Sequence, residues 1–278
     1  PNPSGSGSAL SSLVLVAIRL GITAPTAALV ARLVLGSGAF RLPRRAIVLG
    51  LGLGLVQAFF QYAYVEAVTN AGVGIATAIE LCLAPVLVAA LSVVALRERP
   101  DRTILLAILV AAAGTIVLAA NGSSPKFAAT FGTGFAWSLA CMVGYASYIV
   151  LARRLTAGTH PLELVALASL GGAALLALPA AQIGLPSLAD VDLVVPALQF
   201  AYLALIATSL AYALFVSGVR ATNATIGSLG ALAMPPTATI LAALVLNQQP
   251  TVEIVFGQLL LMVAMAVTIV RTARGTGR

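Results

Sequence analysis

The chain has 278 residues, 60% of them apolar and 8% charged, with a mean hydropathy of +1.07 and a formal net charge of +7. A water-soluble domain carries about 25% charged residues, so this composition excludes one and places the chain in a bilayer. The positive balance would also suit nucleic acid, but the cations sit at the ends of apolar runs, where they mark membrane topology.

A transmembrane barrel would show alternating segments of about ten residues with one polar face. Runs such as Ile104 to Ala120 and Leu259 to Val270 are apolar on every side, and only helices satisfy the backbone of such runs in lipid. A span needs about 20 mostly apolar residues. The polar clusters then divide the chain into ten spans, at about 6 to 21, 24 to 40, 46 to 68, 73 to 96, 102 to 120, 131 to 152, 162 to 181, 194 to 218, 223 to 246 and 252 to 271.

The first span is short in apolar residues and ends at Arg19; the second holds Pro25 and Arg32. The third follows Arg41, Arg44 and Arg45 and opens on Gly50-Leu51-Gly52-Leu53-Gly54. No strand-to-helix context accompanies those glycines, so Gly50-x-x-x-Gly54 reads as a close helix-packing face and not a nucleotide loop. Further along, Gln57, Gln61 and Tyr64 fall at i, i+4 and i+7 on one face, and Glu66 lies about three residues from the outer end. The fourth span carries Thr77 and Glu80 on one face, then Cys82 and Pro85, and the fifth is apolar throughout. Trp137, Cys141, Tyr145 and Tyr148 mark the sixth, and His160-Pro161 turns the chain into the seventh. The eighth offers Tyr202, Thr208 and Tyr212, the ninth Thr225, Ser228 and Pro235, and the tenth is again apolar.

With the start of the chain in the cytoplasm, Arg41, Arg44, Arg45, Arg97, Arg99, Arg102, Arg153, Arg154, Arg220, Arg271, Arg274 and Arg278 fall on the cytoplasmic side. Arg19 and Lys126 fall outside, and Arg32 within a span. This is the positive-inside bias, with both termini cytoplasmic. Arginine is used almost to the exclusion of lysine, as in a bacterium with a GC-rich genome, and the expected location is the bacterial inner membrane. The two cysteines lie in apolar spans and give no disulfide framework.

At an offset of 150 residues the chain repeats its landmarks. Tyr62 and Ala63 match Tyr212 and Ala213, Pro85 matches Pro235, Leu91 and Leu96 match Leu241 and Leu246, and Pro100, Ile104 and Leu109 match Pro250, Ile254 and Leu259. An internal duplication in an apolar chain is the usual trace of a transporter built from two repeats. Five spans per copy require the second to be inverted. Arg97-Glu98-Arg99-Pro100 on the inside accordingly corresponds to Asn247-Gln248-Gln249-Pro250 on the outside. The fold expected is an all-α membrane protein of two inverted five-helix repeats, 1–122 and 131–278, joined by an outer loop at 123–130.

Intramembrane charges are functional candidates by default because each costs about 2.5 to 3.5 kcal/mol on insertion scales. Arg32 and Glu80 each lie roughly 12 Å deep and form one possible pair. Arg19 and Glu66 form a shallower one. An arginine in a central cavity would hold a substrate carboxylate, and a glutamate an amino group or a proton. Gln57, Gln61, Tyr64, Thr77, Tyr145, Tyr148, Thr208, Tyr212, Thr225 and Ser228 extend the candidate cavity wall. Pro85 and Pro235, matched by the repeat, are candidate hinges, since proline removes a backbone bond and kinks its helix. A lone histidine and scattered acids supply no metal cluster or catalytic dyad, and nothing calls for a cofactor.

Arg32 after Pro25, Tyr62-Ala63-Tyr64-Val65-Glu66-Ala67, Ala84-Pro85 and Leu96-Arg97-Glu98-Arg99-Pro100 resemble ten-span members of the drug/metabolite transporter superfamily, of the EamA-like type. The resemblance implies an inner-membrane exporter of amino acids or related small metabolites, with a small-molecule substrate, lipid as its surroundings and no nucleic-acid partner. A monomer is compatible with it. The second copy departs from the pattern by lacking the acid of the Leu-x-Glu-x-Pro turn. A nucleotide-sugar or phosphometabolite exchanger of the same superfamily is the second reading, and a passive channel the third. An enzyme is not expected.

Overall fold

The computed structural model describes residues 5–97, 129–183, 205–222 and 224–234, with single positions and short runs within 102–113, at 198 and 202, and within 237–267. Among these residues every regular element is helical. The helices are α1 (Gly5–Leu35), α2 (Arg44–Ala95), α3 (Phe131–Leu155), α4 (Pro161–Ile183), α5 (Ala211–Ala221) and α6 (Ala224–Gly230). A π-helical turn, Leu205–Leu210, leads into α5. Within the described residues, Ser12–Gly38, Arg44–Gly72, Phe131–Leu155 and Pro161–Gln182 are long and apolar enough to cross a membrane.

The beginning of the chain differs from expectation. Residues 6 to 21 and 24 to 40, read as two spans, form a single helix of 31 residues. Gly21-Ile22-Thr23-Ala24 offers no polar run that would leave a helix. Pro25 lacks the N–H that would bond the carbonyl one turn back, yet hydroxyls cover other carbonyls of this stretch. Thr23 Oγ1 donates to Arg19 O at 2.8 Å, and Thr26 Oγ1 to Ile22 O at 2.9 Å and Thr23 O at 3.0 Å. At 1.5 Å per residue α1 is about 46 Å long, enough for one tilted crossing of a core about 30 Å thick. The two crossings expected of residues 6 to 40 are therefore one.

The break expected between the third and fourth spans is present at Gly72, where φ 83° and ψ 158° interrupt the 52 residues of α2. That conformation is open to glycine and costly to side chains. The chain divides into two compact units. One comprises residues 1–66 and 151–220, the other 67–150 and 221–278. Adding the repeat offset of 150 to 1–66 gives 151–216, nearly the second segment of the first unit. Each unit therefore combines corresponding parts of the two copies, and the compact units cut across the repeats expected at 1–122 and 131–278.

In the first unit, α2 and α4 meet backbone to backbone. A Cβ on Gly54 would collide with the Ala168 carbonyl and lie 2.5 Å from Gly172 N, and one on Gly171 would collide with the Leu51 carbonyl. The Gly50-x-x-x-Gly54 face is thus a packing face. Where it ends, Val16 and Leu20 of α1, Ala58 of α2 and Leu176 of α4 form an apolar cluster flanked by Val65 and Ala173. The start of α4 is fixed by a reciprocal cap. Glu163 Oε2 accepts from His160 N–H at 3.2 Å, and His160 Nδ1 accepts from Leu162 N–H at 3.3 Å. Pro161 occupies the first helical position, where no N–H is needed. Glu163 Oε1 also accepts from Phe40 N–H at 2.6 Å, tying the positive-φ turn after α1 to α4. In the second unit, α3 docks at the break in α2. Thr130 Oγ1 donates to Asn70 O at 2.6 Å, and Gly134 lies against Asn70 and Ala71.

Gly54→Ala should cost about 1 to 3 kcal/mol, because the atoms that a Cβ meets are backbone and cannot move aside. Gly52→Ala, two residues away with nothing within 4 Å of its Cβ position, should leave stability unchanged or raise it by about 0.5 to 1 kcal/mol. Thermal unfolding of the two variants in detergent checks the contrast.

Candidate functional site

Polar side chains buried in an apolar bundle need partners, because lipid offers none. Gln57 and Gln61 in α2 are 0% and 4% exposed, and among the described residues neither Nε2 nor Oε1 of either amide has a hydrogen-bond partner. They stand one turn apart, with half-buried Tyr64 on the same face. Each amide carries two donors and an acceptor with two lone pairs, so the pair presents a dense set of unspent hydrogen-bonding groups. Ser169 Oγ on α4, also fully buried, is unbonded as well.

Elsewhere in the first unit the charges are arranged differently from the sequence expectation. Arg32 is exposed in the last turn of α1, where a cation opposes the partial negative charge of a helix C-terminus. Arg19, in the same continuous helix, is half-buried and donates from Nε to Thr208 Oγ1 at 2.8 Å. Arg19 was expected at the outer surface as a partner of Glu66. Glu66 is buried and its carboxyl receives a hydrogen bond from Tyr62 one turn earlier. Thr208 is fully buried and Tyr212 half-buried.

The second unit holds the remaining candidates. Glu80 is half-buried in α2, and its carboxyl accepts a hydrogen bond from the Cys141 thiol of α3. Cys141 is 1% exposed and reduced. Thr77 and Tyr145 are half-buried; Tyr148 and Ser228 are buried. Pro85 is buried inside a helix that continues through it. Thr225 lies on α6, and Pro235 falls outside the described residues. The candidates thus divide between units: Arg19, Arg32, Gln57, Gln61, Tyr64, Glu66, Thr208 and Tyr212 in the first, and Thr77, Glu80, Tyr145, Tyr148, Thr225 and Ser228 in the second.

Sequence reading missed Ser169, Ser209, Thr26 and the Cys141 partner of Glu80. One signal was available: Arg19, Thr23 and Thr26 fall at i, i+4 and i+7, a polar stripe on a single helix, hidden as long as a loop was placed between them. The thiol beside Glu80 joins residues 61 positions apart and has no local signature.

Comparison with known proteins adds the following. The model of the EamA-like transporter family matches residues 5–120 and again 132–270, one match for each copy of the repeat. A solved crystal structure whose description names no activity is similar to this chain at a TM-score of 0.75 and 25% identity, over 96% of this chain and 92% of the other. No curated protein matches.

Replacing Gln57 or Gln61 with leucine removes buried groups that have no partner to lose. Each single variant should therefore keep or raise the unfolding temperature, since an unsatisfied buried amide costs about 1 to 3 kcal/mol. A clear fall in unfolding temperature would mean that the amides are bonded within the folded protein.

Proposed function

The chain belongs to the EamA-like transporter family, and from that premise we propose that it exports amino acids or related small metabolites across the bacterial inner membrane by alternating access. Membership makes it a multi-pass transporter of small molecules. The observation that carries the finer reading is the Gln57–Gln61 pair, whose amides are buried and unbonded one turn apart. A small polar solute passing through an apolar bundle must exchange its water for such groups. Two amides offering donors and acceptors together suit the mixed donor and acceptor surface of an amino acid.

Glu80 adds an acid whose described partner is a neutral thiol, a setting in which a carboxyl can take an amino group or a proton in turn. In this reading Tyr64, Thr208 and Tyr212 extend the polar wall within the first unit, and Thr77, Tyr145, Tyr148, Thr225 and Ser228 supply polar groups within the second. Arg32 keeps its place in it only as a cation near the mouth. Pro85 serves as a hinge of the cycle in this reading, and Pro235, its counterpart in the repeat, lies outside the described residues. The arginines at 41, 44, 45, 153, 154 and 220 face the cytoplasm by the positive-inside bias.

A nucleotide-sugar or phosphometabolite exchanger would need several cations within the spans. Among the described residues Arg19 is the one cation near the middle of a long helix, which favours a substrate with one small acid group.

Counterflow into proteoliposomes loaded with unlabelled solute, using a panel of labelled L-amino acids, tests this reading. Saturable uptake is expected for some members, reduced at least tenfold by Gln61→Leu and by Glu80→Gln without loss of folding. Uptake that rises linearly without saturation would make the protein a channel, and no uptake of any member by folded protein would remove the amino-acid assignment.

A further inference from the structure

We propose that Arg19, held by Thr208 of the π-helical turn Leu205–Leu210, is the cation that receives the carboxylate of the transported molecule. The inference rests on the transport reading and assigns to one side chain the acid-binding role that the sequence had pointed to at Arg32.

Position is the first ground. Arg19 is the fifteenth of the 31 residues of α1, about 21 Å along the axis from one end and about 24 Å from the other. Within the apolar stretch Ser12–Gly38 it lies seven residues from the first residue, about 10 Å in, and is half-buried, whereas Arg32 is exposed. A cation at such depth is retained in membrane proteins where it meets an anion or lines a path.

Geometry is the second. The guanidinium has five N–H donors in a planar fork. The Nε–H is taken by Thr208 Oγ1 at 2.8 Å. Among the described residues no acceptor takes the four N–H of Nη1 and Nη2. The tether occupies Nε, leaves the end-on edge of Nη1 and Nη2 for a two-point grip on a carboxylate, and fixes the plane of the group. This is the arrangement that favours arginine over lysine for a carboxylate.

The tether is itself secured. Ser209, the next residue of the turn, bonds Thr26 Oγ1 at 2.9 Å. The π-helical turn is pinned to α1 at two points seven residues apart, through Thr208 and Ser209, which are 0% and 6% exposed. A π turn inserts an extra residue and re-aims the side chains around it, a distortion found most often at functional sites. Here it aligns two successive hydroxyls with α1. The carboxylate nearest in sequence terms, Glu66, receives Tyr62.

The test is thermal stabilisation of the purified full-length protein by the common L-amino acids and by their carboxamides, which keep the side chain and amino group and lose the negative charge. Native protein should be stabilised by some acids and far less by the matching amides. Arg19→Gln should weaken binding of those acids by roughly 10- to 100-fold and abolish the preference for acid over amide, while leaving amide binding unchanged. Arg19→Lys, which keeps a charge without the fork, should retain a reduced preference and serves if the glutamine variant does not fold. Thr208→Val should lower the preference with the guanidinium still present. An acid-over-amide preference undiminished in the Arg19 variants would overturn this assignment alone. A native protein that responds to none of the acids would overturn the amino-acid reading and this assignment with it.

Discussion

The contact on which the first unit depends is the meeting of α2 and α4 at Gly54, Gly171 and Gly172. No side chain separates the two backbones there, so their spacing is set by main-chain atoms, which cannot change rotamer. Gly172 also touches Leu20 of α1, its Cβ position lying 2.8 Å from Leu20 Cδ1, 2.9 Å from Gly54 O and 3.4 Å from Ala58 Cβ. One glycine thereby fixes three helices at a single level. Arg19 precedes Leu20, and Gln57 precedes Ala58, so the height of both polar candidates in the unit follows from how closely the small residues approach.

Hydroxyls and amides meet the absence of water in different ways. Thr23, Ser92, Ser138, Ser147, Thr156, Ser217 and Thr237 each donate to a carbonyl three or four residues earlier in their own helix. A short side chain reaches that carbonyl in any helix, so these residues need nothing from a neighbour. A glutamine amide has three groups to satisfy and no such local solution. This distinction separates Gln57 and Gln61 from the many serines and threonines of the bundle. Thr26, Thr208, Ser209 and Thr130 differ from those serines and threonines in that their hydroxyls also reach another element.

The parts of the fold legible in the sequence were those governed by local rules. Gly72 stands in the gap left between the third and fourth spans, Gly50-x-x-x-Gly54 packs as its spacing implied, and α3 and α4 occupy the expected stretches. The parts that were not legible turned on competition. The sequence reading ended one span near Arg19 and began another before Pro25, but the surrounding apolar sequence and threonine hydroxyls keep α1 intact. With that one decision the depths assigned to Arg19 and Arg32 changed. The bond between Glu80 and Cys141 was beyond reach for another reason. A cysteine in an apolar span looks the same whether it fills space or donates to an acid, and only the packing of α3 on α2 distinguishes the two.

The interleaving of the units bears on synthesis. The segment 1–66 is completed by 151–220, so it leaves the ribosome 154 residues before its partner is finished, which takes roughly 10 to 30 s at bacterial and eukaryotic elongation rates. The groove of α2 at Gly50 and Gly54 has no partner until α4, Pro161–Ile183, is made, and Arg19 has none until Thr208 follows. Lipid tails fit such a groove poorly, and a bare guanidinium fits the bilayer worse, which makes the nascent first segment a natural client for a membrane insertase that shelters polar helices until the second copy arrives.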